Sequence, residues 1–220
     1  MKILLTGGTG MVGSLVLANC LKTENVTEVI SLVRKPSGEK HAKLTELVIT
    51  DFEDYSEHTK VFTSVSAAFF CLGAYTGKVP DELFKKITVD YAVVFAEALA
   101  KNSPGATFCL LSGAGADRTE KSRFSFARYK GMAENSIAGM NLKFYSFRPG
   151  YIYPVVPRDE PNIGYKIFRL IYPVFRLLGK KHSIKSTELA DGMFYVGLQG
   201  ADKEVLENHD IFSYTSQASF

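Results

Sequence analysis

Lys2-Ile3-Leu4-Leu5-Thr6-Gly7-Gly8-Thr9-Gly10-Met11-Val12-Gly13 is the stretch on which the fold turns. The apolar run Ile3 to Leu5 has the character of a buried strand. Glycines then break the chain, and from Met11 to Leu21 it resumes as an apolar, helix-compatible segment. Strand, tight turn and helix thus follow one another directly. In that setting Gly7 permits the sharp exit from the strand, Gly10 lets the backbone come close to a pyrophosphate, and Gly13 lets the helix pack tightly against a sheet. Phosphates bound here would sit on free N–H groups at the positive end of the helix, along Thr9, Met11 and Val12. Glycines also mark ordinary turns, and it is the preceding strand and following helix that give this spacing its meaning.

Working outward, Val26 to Val33 reads as a second strand, rich in β-branched residues and followed by Arg34-Lys35-Pro36-Ser37-Gly38. In a dinucleotide-binding fold this position selects the cofactor: an acid would meet the ribose hydroxyls of NAD, whereas basic residues neutralise a 2′-phosphate. Arg34 and Lys35, with no acid until Glu39, favour NADP over NAD. Leu44 to Ile49 is a third strand running into Asp51-Phe52, a pair able to meet an adenine, although an isolated Asp here also reads as a helix cap. After a short helix, Ala67 to Leu72 reads as a fully buried strand whose final Leu72-Gly73 leaves room for cofactor.

Apolar periodicity predicts a long helix over Asp81–Lys101 and a second over about Ser122–Gly139, separated by a buried strand, Ala106 to Leu111, that ends at Ser112. Leu142 to Phe147 is a sixth strand, closed by Arg148-Pro149-Gly150. Strands alternating with helices imply right-handed crossovers and a doubly wound parallel α/β sheet, a Rossmann fold, whose ligands bind at the strands' carboxyl ends. The core is expected over residues 1–150, with a small helical extension over 151–220 packed on the same domain as a substrate or interaction lobe. Five prolines lie between Pro149 and Pro173. The segment Ile163–Leu178 places Lys166, Arg169 and Arg176 on one helical face, with an apolar remainder that packs on its own domain, meets a second copy or a protein partner, walls the substrate pocket or, as the lesser alternative, touches a membrane surface. Ser186 to Gln199 reads as a last helix capped by Ser186 or Thr187 ahead of Glu188. The tail after Leu206 carries no pattern.

A chain of 220 residues, 46% hydrophobic, suits one domain with a sizeable core. Its net charge of +3 comes from interspersed acids and bases, which argues against nucleic acid as a partner. Cys20, Cys71 and Cys109 have no metal-ligand spacing and read as free thiols in a reducing compartment, and the four histidines are scattered, so no metal is expected. With no signal peptide and no apolar stretch long enough to span a bilayer, the expectation is a soluble cytoplasmic protein.

With these residues in hand, the chain resembles the atypical short-chain dehydrogenase/reductase family over nearly its whole length. Thr6 to Gly13 looks like that family's TGxxGxxG motif. Within the family the chain is most similar to the Tat-interacting, oxidoreductase-like branch, through Asp51-Phe52-Glu53, Cys71-Leu72-Gly73, Val89-Asp90-Tyr91, Leu110-Leu111-Ser112 with Gly115-Ala116-Asp117, and Phe147-Arg148-Pro149-Gly150. The resemblance implies an NADP site that includes Pro149 and Lys130, and a Ser, Tyr, Lys catalytic group that reduces or oxidises a small carbonyl, alcohol or sugar-like substrate, or does so transiently during an isomerisation or epimerisation. In such a group the tyrosine exchanges the proton, the serine orients the substrate oxygen, and the lysine holds the ribose and lowers the tyrosine's pKa. Ser112 and Lys130 match two of the three. The tyrosine position, four residues before Lys130, is Phe126. Phenylalanine keeps the ring and lacks the proton. Three readings follow: Tyr129 supplies the hydroxyl, Tyr151 or Tyr153 does so from the other side, or the protein senses NADP(H) without dehydrogenase chemistry and acts through a partner. Asp90 lies where relatives often carry an Asn that serves a proton relay.

Overall fold

Strand β1 (Lys2–Thr6) is apolar on both sides because both of its faces are covered. Ile3 and Leu5 point into one core layer and Leu4 into the other. The computed structural model describes residues 1–75, 77–155 and 182–215. The chain continues through α1 (Gly13–Lys22), β2 (Glu28–Val33), β3 (Leu44–Val48), a 3-10 turn (Ser56–Phe62) and β4 (Ala67–Phe70). It then enters α2 (Asp81–Lys85), a π turn (Lys86–Asp90) and α3 (Tyr91–Asn102), which form one run, so the expected long helix carries a π bulge. Next come β5 (Thr107–Leu111), α4 (Ser125–Ala138), β6 (Lys143–Arg148), β7 (Tyr151–Tyr153), β8 (Ser183–Lys185), α5 (Ser186–Gln199), β9 (Val205–Glu207) and α6 (Asn208–Thr215).

Seven parallel strands form the main sheet in the order β3-β2-β1-β4-β5-β6-β9. The order reverses between β1 and β4, so their carboxyl ends open a crevice, where a doubly wound sheet binds its ligands. The side-chain period of two sorts the core cleanly. Ala67, Phe69, Cys109 and Phe147 join the layer under α1 and α5, while Ala68, Phe70, Phe108, Leu110 and Phe144 join the layer under α3 and α4. In the second layer Phe95 of α3 meets Phe62, Phe70 and Phe108 at ring-centroid separations of 5.2, 5.6 and 5.8 Å. Those tilted and edge-on contacts fix the height of α3 above the strands.

The region after Gly150 differs from expectation in three ways. Residues 205–207 form β9 and extend the sheet beside β6, and the tail after Leu206, expected to carry no pattern, completes that strand and continues as α6. Only Leu206 of that strand is buried, so three residues gave no readable alternation. Strands β7 and β8 pair with each other in a second small parallel sheet. Helix α5 spans the expected residues, but neither Ser186 nor Thr187 is its cap: the backbone N–H of Lys185 donates to Glu188 Oε2 at 2.9 Å, and Ser186 Oγ accepts from the N–H of Val155 at 3.2 Å. Helix α5 packs on α1, where Asn19 Nδ2 donates to Asp191 Oδ1 at 2.9 Å. The amphipathic segment 163–178 lies outside the described residues.

Candidate functional site

At the crevice the glycine loop is held by close approach. Gly7 has φ +75°, and a Cβ there would meet the carbonyl carbon and oxygen of Cys71, at the end of β4, at 2.6 Å. A Cβ on Gly13 would lie 2.2 Å from the carbonyl oxygen of Gly7, so the first turn of α1 rests directly on the loop. The N–H of Gly10 donates to Gly7 O at 2.8 Å and that of Ser14 to Gly10 O at 3.0 Å. Among the described residues the amides of Met11 and Val12 make no backbone hydrogen bond, and no side chain caps α1. Free amides at an uncapped helix N-terminus are a cradle for an anion, and the loop fits a pyrophosphate on that ground. Beside it a cleft of about 410 Å³ runs past Gly10, Met11, Val12, Leu72 and Gly73 to Ser112, Phe126, Lys130 and Pro149, and is walled by Tyr75, Tyr151 and Ile152.

Sequence placed Ser112 and Lys130 in one site, and the structure brings both to this cleft. Ser112 follows β5, and Lys130 reaches it from α4, one turn after Phe126. Lys130 is buried, and its Nζ donates to the carbonyl oxygen of Leu111 at 2.8 Å. Burial pulls its pKa down from 10.5 to about 8, against the opposing pull of Glu134 and Cys71. Phe126 lies across the cleft wall with its Cζ only 2.5 Å from where a Cβ on Gly113 would stand. Tyr129 goes elsewhere: its hydroxyl donates to Asp81 Oδ2 at 2.5 Å, and its ring packs with Phe84 and Val89, so it is not among the lining residues. One residue from Lys130, it leaves α4 in a different direction. Tyr151 lines the cleft and Tyr153 does not.

Behind Ser112 stands a residue that sequence reading missed. Glu134, one turn beyond Lys130 and fully buried, accepts from Ser112 Oγ at 2.6 Å, Ser146 Oγ at 2.7 Å, Arg118 Nε at 2.9 Å and Arg148 Nε at 3.0 Å. Burial alone would raise its pKa, but the hydrogen bonds from Arg148, Ser112, Ser146 and Arg118 outweigh it and hold the carboxyl at about 2. The Ser112 proton is thereby committed to Glu134, and Ser112 offers the cleft lone pairs. Arg118 and Arg148 continue outward to Glu204 and Glu207, tying the site to the last strand of the sheet. The four-residue step from Lys130 to Glu134 was the available signal, and it reads equally well as a surface pair.

The residues expected to select the cofactor are more dispersed. Arg34 and Lys35 are exposed at the carboxyl end of β2 and, among the described residues, pair with no carboxylate. Asp51 is exposed and accepts the N–H of Glu53 at 2.9 Å, forming a local turn. Phe52 is buried against Tyr55 and Tyr91, which leaves its ring engaged in the core. Cys71 lines the cleft, but burial pushes its thiol up to about 12, with a partial opposing effect from Lys130. Among the described residues no His, Cys, Asp or Glu side chains gather as metal ligands, and no helix is long and apolar enough to cross a membrane.

A family model described as NAD(P)H-binding matches residues 7–193. The chain belongs to this NAD(P)H-binding family. Among curated relatives, Protein FMP52, mitochondrial, of Coccidioides immitis is 28% identical over 160 residues, covering 67% of this chain and 64% of its own length. The chain thus spans a little under two thirds of that relative. Two solved structures share the fold. Gre2 of Candida albicans, solved with NADPH, has a TM-score of 0.71 at 12% identity over 94% of this chain and 78% of its own. WbmG of Bordetella bronchiseptica, solved with NAD, has a TM-score of 0.68 at 15% identity over 99% and 77%. The expected cytoplasmic location is corrected by these comparisons: the Coccidioides relative and three from Aspergillus are named as mitochondrial proteins. Free thiols and a short N-terminal apolar run do not distinguish one reducing compartment from another.

Proposed function

We propose that this member of the NAD(P)H-binding family is an NADP-dependent oxidoreductase of the atypical short-chain dehydrogenase type, similar to its Tat-interacting branch. Its substrate would be a small carbonyl, alcohol or sugar-like molecule. The observation that carries the reading is the meeting of Ser112 and Lys130 in one cleft beside the glycine loop. A bound nicotinamide supplies hydride exchange. The chain supplies the rest: the loop from Gly7 to Gly13 and the amides of Met11 and Val12 hold the phosphates, and Lys130 reaches the ribose side of the cleft. Ser112 holds a substrate hydroxyl through its lone pairs. Arg34 and Lys35 favour a 2′-phosphate, and so NADP over NAD. Tyr151, Ile152 and Pro154 begin the extension 151–220 and wall the substrate end.

A second reading rests on Phe126, which keeps a ring in the cleft without a transferable proton: a protein that binds NADP(H), senses it and acts through a partner. The first test is titration of the protein into NADPH and, separately, NADH, following the nicotinamide's own fluorescence. The chain has no Trp to confuse the signal. Tight NADPH and weak NADH binding is the expected result. Binding of neither refutes both readings.

A further inference from the structure

Lys130 is a buried cation that no carboxylate among the described residues pairs with. Its side chain donates one hydrogen bond, to the carbonyl of Leu111. The nearest carboxylate, Glu134 on the same helix, has its oxygens filled by two serines and two arginines. An ammonium has three donors, so two remain beyond Leu111. Buried charges are ordinarily paired, and an unpaired one lining a cleft points to a ligand or to proton exchange.

The other groups around the cleft can be sorted by what they hold. Phe126 has no proton to give. The Tyr129 hydroxyl is on Asp81 and the Ser112 hydroxyl is on Glu134. Glu134 is kept ionised by Arg118 and Arg148, which makes it a poor proton acceptor. The Cys71 thiol, which faces Lys130 from the end of β4, is pushed up by burial. Tyr75 and Tyr151 on the cleft walls are the competing donors.

We propose that Lys130 exchanges the substrate's proton directly, taking the place of the missing tyrosine in a site where Phe126 leaves the ring and removes the hydroxyl. The inference rests on the oxidoreductase reading above. In the reducing direction the substrate carbonyl is reduced as the nicotinamide is oxidised. An Nζ–H bond of Lys130 breaks, an O–H bond forms on the substrate oxygen, and the neutral amine left behind takes a proton from water. Leu111, at the end of β5, orients Nζ beside the peptide that carries Ser112, which puts donor and acceptor at one spot in the cleft.

Two measurements test this. The first does not depend on turnover. The protein without cofactor is reductively methylated with ¹³C-formaldehyde, and the Lys130 resonance, assigned by its loss in Lys130→Met, is titrated by NMR. A cleft-facing amine that methylates in the folded protein and titrates near 8, apart from the other lysines, is expected. A Lys130 that stays unmodified until the protein unfolds, or titrates with the surface lysines, overturns the proposal. The second follows reduction of 9,10-phenanthrenequinone at saturating NADPH, with cofactor binding read by fluorescence in each variant. Lys130→Met should lose about 100-fold or more of the rate at saturating NADPH, a larger factor than it loses in NADPH affinity. The wild-type rate should fall as pH rises through the Lys130 titration, and Phe126→Tyr should move that limb. A limb unmoved in Phe126→Tyr, or a Lys130→Met rate equal to wild type, overturns the role of Lys130 and points to Tyr75 or Tyr151. Bound NADPH with no turnover by wild type or Phe126→Tyr refutes the oxidoreductase reading, and this inference with it.

Discussion

Removing the Glu134 carboxylate is the perturbation whose size the structure defines best. The side chain is fully buried, with four neighbours donating hydrogen bonds to it, and its carboxyl sits at about 2 in place of 4.5. At ~1.4 kcal/mol per pH unit, that lowering stabilises the folded state by about 3 kcal/mol at neutral pH. The unfolded chain binds the proton first as pH falls. The contribution is therefore complete above the unfolded value and drains away between about pH 5 and pH 2. Glu134→Gln keeps the shape but turns an amide N–H₂ toward donors already aimed at it. It also strands Arg148, whose side chain is 14% exposed. The expected cost at pH 7 is about 3–5 kcal/mol, the range for breaking a buried ion pair by removing one partner. Urea unfolding of wild type and variant across pH 2–8 measures both quantities. The difference between the two proteins should shrink by about 3 kcal/mol on going from pH 7 to pH 2. A variant costing less than about 1 kcal/mol, or a difference that does not change with pH, would refute the network described here.

The loop and the remaining charges give further tests. Gly13→Ala puts a Cβ 2.2 Å from Gly7 O, so NADPH binding should fall by at least about 100-fold in a fluorescence titration, and a near-normal Kd would mean that α1 does not rest on the loop as described. Arg34→Glu combined with Lys35→Glu should weaken NADPH about tenfold or more and leave NADH within a few-fold, read in the same titration. Lys130 has its folded value below its unfolded one, so the unfolded chain binds more protons between about pH 8 and 10.5, and wild type should gain stability over that window as pH rises. Lys130→Met should lack that alkaline rise and be more stable than wild type at pH 7, by on the order of 1–3 kcal/mol in urea unfolding.

What could be read in the sequence was local, and what could not was set by residues distant along the chain. The glycine loop needs only a strand before it and a helix after it, and its contacts at Gly7 and Gly13 stay within that unit and the adjacent end of β4. The four-residue step from Phe126 to Lys130 is likewise internal to one helix. Tyr129 could not be placed that way, because what turns it from the cleft is Asp81, 48 residues earlier. Phe52 could have faced an adenine or the core. The rings of Tyr55 and Tyr91 decide for the core, and neither is legible from the strand that Phe52 follows. Glu134 draws its partners from the ends of β5 and β6 and from the loop carrying Arg118, a set that exists only once the sheet has formed.

At residue 126 the cleft holds a ring that carries no transferable proton. Phe126 still fills the space over Gly113, where any side chain would strike the ring. Ser112 remains anchored through its proton, and Lys130 remains buried at a cost that an apolar residue would remove. Holding a ribose requires a donor but no mobile proton. A site that still moves a proton does need one, at a group whose pKa lies near the operating pH. On the proposal made for Lys130, Phe126 and Lys130 are parts of one arrangement, in which the acid sits one turn further along α4.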